Sequence, residues 1–192
     1  GTRDVCQGPA EYFLATQHFD IVKRIILEVY KHQFISNGNW PQWFMFDRYF
    51  RIQQHESHGD IIVWPMRLLG TYLEATKDYS ILEEMVPYTD INTSEYIEEY
   101  SVLHHLENEV NNIVASFIDD TSLSCYGGGD WDDTLQPANK TYASRMVSGW
   151  TVALTYEALS ILSRELKDVN PKLANKYSTL CENIKADYNK YI

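Results

Sequence analysis

Apolar residues recur at helical spacing along most of this chain, and no stretch of useful length alternates with the two-residue period of a strand. That pattern makes an all-α fold the expectation. Phe19, Ile21, Val22, Ile25, Ile26, Val29 and Tyr30 share one helix face just after Asp20, a capping residue type, and Pro9 to Thr16 can start a helix at its proline. From Asp60 the run Ile61, Val63, Trp64, Leu68, Leu69, Tyr72 and Leu73 predicts a helix that stops near Lys77-Asp78, followed by a short one over Ser80 to Met85 ended by Pro87. Glu95 to Ile118 reads as one long amphipathic helix with Val102, Leu106, Val110, Ile113, Val114 and Phe117 inward, and Met146 to Leu166 and Pro171 to Tyr191 supply two more. Between Asn37 and Gln54 the pattern breaks into Gly, Asn, Pro and large aromatics, a loop long enough to shape a cleft.

Helices joined alternately by short turns and long aromatic loops predict antiparallel hairpins set side by side. Curved into a toroid, they would gather the long loops, and hence a pocket, at one end. Six or seven helices cannot close a twelve-helix barrel, so the chain is expected to supply about half of one. Residues 1–192 then read as a partial barrel domain, a piece of a longer protein, inactive by itself and exposing apolar surface through which it could form a homodimer.

A formal net charge of −11 and the lack of a basic stripe argue against nucleic acid and anionic membranes as partners. No segment approaches the about 20 apolar residues of a membrane span. Three widely spaced cysteines, Cys6, Cys125 and Cys181, form neither a disulfide framework nor a zinc motif, so a cytoplasmic location is expected. Five tryptophans and 14 tyrosines suit a large core or a carbohydrate cleft.

The candidate chemistry lies between Gly127 and Pro137, where Gly-Gly-Gly-Asp-Trp-Asp-Asp-Thr-Leu-Gln-Pro sets Asp130, Asp132, Asp133 and Trp131 behind what reads as a flexible hinge. An indole offers a pyranose a flat stacking face, and a carboxyl crowded by other carboxyls keeps the proton a general acid needs. His55-Glu56-Ser57-His58 lacks the i, i+4 spacing of a helical zinc pair; its polar residues are expected to orient a substrate or cap the following helix, with no metal site. His104-His105 is expected to point mostly outward, and Arg3-Asp4 taken alone is a surface ion pair of little energetic weight.

Three segments in order carry a resemblance. Gly1-Thr2-Arg3-Asp4-Val5-Cys6-Gln7 is similar to the Gly-Tyr-Arg-Asp-x-x-Gln stretch that opens the catalytic helical barrel of glycoside hydrolase family 94, the cellobiose-phosphorylase family. His58 to Pro65, followed by Tyr72 to Asp78 and Ile81 to Pro87, resembles that family's Asp-Asp-x-x-Trp-Leu-Pro, Tyr-x-x-x-Thr-Gly-Asp and Leu-x-Glu-x-Val-Pro run, and Gly129-Asp130-Trp131-Asp132-Asp133 its Gly-Asp-Trp-Asn-Asp signature.

The resemblance implies an (α/α)6 barrel and an inverting phosphorylase acting on β-linked glucooligosaccharides to give α-glucose 1-phosphate. In it Asp133 aligns with the acid that protonates the glycosidic oxygen while inorganic phosphate, a co-substrate in an enzyme without other cofactor, attacks the opposite face. Phosphate is already anionic and so replaces the water-activating base of an inverting hydrolase. Arg3, Asp4, Gln7 and Trp131, with Asp130 and Asp132 beside them, match the sugar-binding positions. Gly8 stands where cellobiose phosphorylases carry an acidic residue, Asp132 replaces an asparagine and is expected to raise the pKa of Asp133, and Thr134-Leu135-Gln136 replaces Gly-Met-Asn. These departures resemble the 1,2-β-oligoglucan phosphorylase branch. An inverting hydrolase using Glu56 or Asp60 as base, a non-catalytic sugar-binding fragment, and a terpene cyclase matched only by Asp130-x-Asp132-Asp133 are the rival readings.

Overall fold

The computed structural model describes residues 1–192. Seven α-helices carry it: α1 Thr2–Cys6, α2 Gly8–Ala15, α3 Phe19–Lys31, α4 Trp64–Thr76, α5 Val102–Ala115, α6 Gly149–Glu165 and α7 Pro171–Tyr191. Two antiparallel two-stranded hairpins accompany them, β1 Trp43–Phe44 with β2 Gln53–Gln54, and β3 Met85–Thr89 with β4 Tyr96–Ser101.

The chain is therefore mostly helical but not all-α. The long helix expected over Glu95 to Ile118 begins only at Val102, because residues 96–101 pair with β3 in the register Val86↔Tyr100 and Pro87↔Glu99. Val86 and Tyr88 alternate inward, the two-residue period of a strand, and Pro87 is tolerated because the far edge of the ribbon has no ladder partner at its position, pairing only at Thr89, whose N–H donates to the Gln33 carbonyl. Ser101 ends the strand and caps α5, its hydroxyl accepting from the His104 N–H at 3.2 Å. The short helix expected at Ser80 is a 3-10 turn over Tyr79–Glu83, and Asp20 lies in the first turn of α3, whose cap position is His18.

Side-chain rungs give the helix directions. Arg67 to Glu157, Glu74 to Arg164 and Lys77 to Glu165 set α4 parallel to α6, while Arg3 to Asp60 and Glu11 to Arg67 set α2 parallel to α4. α3 runs the other way, with Lys23 beside Asp78 beyond the end of α4 and Tyr30 joined through Glu109 to Met66 near its start. α5 and α7 also return in the opposite sense: Val102 bonds Glu84 past the end of α4, and Cys181 reaches the Tyr156 carbonyl of α6. The core lies between these two sets, with Tyr30, Trp40, Met66, Leu69 and Tyr177 fully enclosed.

Two polar residues share the inner face of α5. Glu109 is fully buried, accepting the Tyr30 hydroxyl at 3.0 Å and the Met66 N–H at 2.9 Å, so it satisfies a free donor in the first turn of α4. Burial pushes its pKa well above the usual carboxyl range. His105 is equally buried, stacked 3.7 Å from Tyr88 with its ring nitrogens facing Gln33 Oε1 and the Val86 carbonyl. The expectation that this histidine points outward is corrected: from Val102 it sits at i+3, on the buried stripe.

Candidate active site

Because α2, α4 and α6 are parallel, their N-terminal ends lie together, and the chemistry-bearing residues sit in the segments that feed those ends. Arg3 comes from α1 just before α2, His58 and Asp60 from the turn before α4, and Asp130 to Asp133 from the loop before α6.

Arg3 is only 7% exposed and uses its two amino groups differently. Nη1 donates to the carboxylate of Asp60 (3.2 Å to Oδ2, 3.4 Å to Oδ1) and to the Asp130 carbonyl at 3.2 Å. Nη2 donates to Asp133 Oδ1 at 2.7 Å. Asp60 has no exposure and also accepts from Trp64 Nε1 at 2.9 Å, an i, i+4 contact that fixes the carboxylate before α4 starts. A buried guanidinium demands such a partner, since an unpaired charge out of water is costly.

Asp133 itself has a side chain 59% exposed; its Oδ1 accepts from Arg3 Nη2, and His58 Nδ1, which bonds the Asp130 carbonyl at 3.2 Å, lies 3.0 Å from the same oxygen. The Arg3 guanidinium, with His58 adding to it, holds the carboxyl below the usual carboxylate range. Asp132 does not raise it as expected. That side chain turns back to accept the N–H of Thr134 at 3.0 Å and its hydroxyl at 2.7 Å, and the Thr134 hydroxyl keeps Asp132 below the usual range too. Both oxygens of Asp130 are taken by the chain itself, Oδ1 by the Asp132 N–H at 2.9 Å and Oδ2 by the Ser148 hydroxyl at 2.7 Å. Ser148 also caps α6 by accepting from the Thr151 N–H, so Asp130 ties the loop to that helix.

The loop is not a free hinge. The Gly59 N–H donates to the Gly129 carbonyl at 2.8 Å, and a Cβ on Gly59 would lie 2.6 Å from the Tyr126 carbonyl oxygen. Gly129, at φ +145°, passes so close under the imidazole that its own Cβ would meet the His58 ring at 3.0 Å. These glycines let two backbones touch and so bring His58 to Asp133.

Of the other expected residues, Trp131 is 52% exposed, its ring 5.7 Å from the half-exposed Trp150. Gln7 closes α1 one turn beyond Arg3. Asp4 is exposed on a different side of α1, beside Val5, Pro9, Phe44 and Phe46, and makes no contact with the Arg3 cluster. Asp60 and His58 carry the geometry without having been assigned these roles from the sequence. The Asp60 to Trp64 spacing is the one local signal for the first. His55 and His58 diverge, His55 going to Ser94 Oγ at 3.0 Å.

Residues 45–192 match the family model described as the catalytic domain of the glycosyl hydrolase 94 superfamily. The chain is 49% identical over 193 residues to the 1,2-beta-oligoglucan phosphorylase of Listeria innocua serovar 6a, covering 100% of this chain and 17% of that protein. It is 26% identical over 171 residues to the solabiose phosphorylase of Paenibacillus borealis, covering 88% of this chain and 20% of that protein. The chain thus spans about a fifth or less of the length of these relatives. With three parallel helix starts converging on one charged cluster and the family model matched over most of its length, the chain belongs to the glycosyl hydrolase 94 superfamily, within its catalytic domain.

Proposed function

We propose that the protein carrying this chain is an inverting glycoside phosphorylase that cleaves β-linked glucooligosaccharides, β-1,2 chains foremost, with inorganic phosphate to give α-glucose 1-phosphate. The kinship with a 1,2-beta-oligoglucan phosphorylase supports the substrate class. Parallel α2, α4 and α6, with α3, α5 and α7 returning in the opposite sense, are what half of an (α/α)6 barrel requires, and they support that architecture.

The observation that carries the mechanism is the division of labour within Arg3. Its Nη1 is anchored by buried Asp60, while Nη2 reaches only Asp133. That contact lowers the pKa of Asp133 and favours its ionised form, which is the wrong state for an acid. A sugar hydroxyl that accepts from Nη2 in its place removes the strongest stabiliser of the carboxylate, and the bound sugar shields it from water; both raise its pKa, so Asp133 takes up a proton from solvent more readily with the sugar bound. Trp131 supplies packing surface for the ring. The proton then passes from Asp133 to the glycosidic oxygen as the C–O bond breaks, and a phosphate oxygen forms the new bond to the anomeric carbon from the opposite face. Asp133 is left as a carboxylate, which Arg3 can take up again once the product leaves.

Asp133→Asn in the full-length protein is expected to lower kcat on an oligosaccharide by about 10²–10⁴-fold with the fold intact. A near-normal rate would place the acid elsewhere.

A further inference from the structure

We propose that His58 is a positioning residue for the acid: its Nδ1–H holds Asp133 Oδ1 so that the transferable proton rides on Oδ2, facing the substrate. The inference rests on the reading of Asp133 as the general acid.

The geometry fixes the tautomer first. His58 Nδ1 lies 3.0 Å from Asp133 Oδ1 and 3.2 Å from the Asp130 carbonyl oxygen, and a carboxylate and a carbonyl can only accept, so Nδ1 must carry the hydrogen. The ring is then oriented by its surroundings rather than by the acid. The His58 N–H donates to Gln42 Oε1 at 2.9 Å, and the ring lies against the backbone of Gly129, where any side chain would displace it. The imidazole is therefore a fixed donor and Asp133 the group that conforms to it.

Arg3 Nη2 donates to Oδ1, and the His58 Nδ1–H, which bonds the Asp130 carbonyl, lies 3.0 Å from the same oxygen. No protein donor reaches Oδ2. A proton added to the carboxyl goes to Oδ2, because Oδ1 already faces the N–H groups of Arg3 and His58. When a sugar takes Arg3 Nη2, one donor leaves Oδ1 and His58 remains to stop the carboxyl from rotating. The charged groups that bear on the pair are Arg3 from α1, Asp60 from the turn before α4, and Asp133 itself. Asp130 presents its carbonyl to the ring while its carboxylate is held by Ser148 and the Asp132 N–H.

The test compares His58→Ala, His58→Asn and His58→Gln in the full-length protein. The Asn amide can place an N–H where Nδ1 stands; the longer Gln amide reaches the Nε2 position. Phosphorolysis is followed on a glucooligosaccharide and on an aryl β-glucoside whose nitrophenolate leaves without protonation. His58→Ala and His58→Gln are expected to lose up to about 10²-fold in kcat on the oligosaccharide, as for a misplaced reacting group, and little on the aryl glucoside, with His58→Asn restoring most of the loss. The alkaline limb of kcat/KM, which reports the free enzyme, should move to higher pH in Ala and Gln, because losing a donor to the carboxylate raises its pKa. Equal losses on both substrates, Asn no better than Gln, or an unmoved limb would each overturn the inference. Asp133→Asn, run alongside, separates the two readings: if it keeps its rate, the acid assignment fails; if it is inactive while the His58 variants behave as wild type, only the role of His58 fails. Should the Ala variant not accumulate as folded protein, the Asn and Gln pair makes the same comparison.

Discussion

Gly59→Ala changes no residue that would touch a sugar, yet it should disable the site. The added Cβ would lie 2.6 Å from the Tyr126 carbonyl oxygen and 3.2 Å from that of Gly129, so the two segments must part by roughly 0.8 Å before the closer contact becomes ordinary. Both obstacles are backbone, and no side-chain rotation relieves them. The segment that carries Gly59 is pinned on either side, His58 by Gln42 and Asp60 by Arg3 and Trp64, so the displacement falls on the loop that carries Asp133. The overpacking costs about 1–3 kcal/mol, of which the reduced freedom of the unfolded chain returns about 0.4–1 kcal/mol. The catalytic effect should be larger, because displacing a reacting group by about 1 Å can cost 10²-fold in rate. Steady-state kinetics of the full-length variant on an oligosaccharide, beside its urea unfolding curve, measure both. A kcat within twofold of wild type would refute the argument that this backbone contact positions the acid.

Other substitutions probe separate parts of the structure. Trp131→Ala removes an exposed ring from the loop and should raise KM for the oligosaccharide by about 3–10-fold, the equivalent of one stacking contact, with little change in kcat; an unchanged KM would mean the ring does not meet the sugar. Glu109, its pKa raised by burial, keeps its proton in the fold while the unfolded chain releases one, so stability should decline as pH rises above about 4.5. Glu109→Gln, which can still serve both partners, should flatten that decline in thermal melts from pH 5 to 8, whereas Glu109→Ala strands the Tyr30 hydroxyl and the Met66 N–H at a cost of about 3 kcal/mol or more. His32 is fully buried with neither ring nitrogen bonded, stacked 3.7 Å from Phe44, and burial pushes its pKa down to about 4. The unfolded chain takes up that proton from about pH 6.5 downward, so stability is lost as pH falls from there toward 4, and His32→Phe should remove this loss and raise the melting temperature most at pH 5.

The helices that face a core on one side only were legible as period. α7 coincides with its predicted span, and α3 and α4 differ from theirs at the ends. β4 was not legible, because Ile97 and Tyr100 fall three apart among glutamates and extend the period of α5 backwards; only pairing with Val86 and Tyr88 decides for a strand. His105 and Glu109 were passed over for being polar, although their spacing from Val102 places both on the buried stripe. At the site, the aspartate cluster and Trp131 stood out in sequence, and the resemblance brought Arg3 beside them. The electrostatics did not follow from adjacency. Asp132, next in sequence to Asp133, turns to Thr134, while Arg3, 130 positions away, sets the charge of Asp133. The triple glycine reads alone as flexibility, and its role in backbone contact is visible only once Gly59 lies against it.

Anomeric proton NMR of the full-length protein acting on sophorooligosaccharides tests most directly the proposal that phosphate, not water, receives the glucosyl group with inversion. α-Glucose 1-phosphate is expected to accumulate with a chain shortened by one unit, the reaction to stop when phosphate is withheld, and the reverse reaction to run from α-glucose 1-phosphate and acceptor. Free glucose appearing at the same rate without phosphate, or β-glucose 1-phosphate as the product, would contradict it.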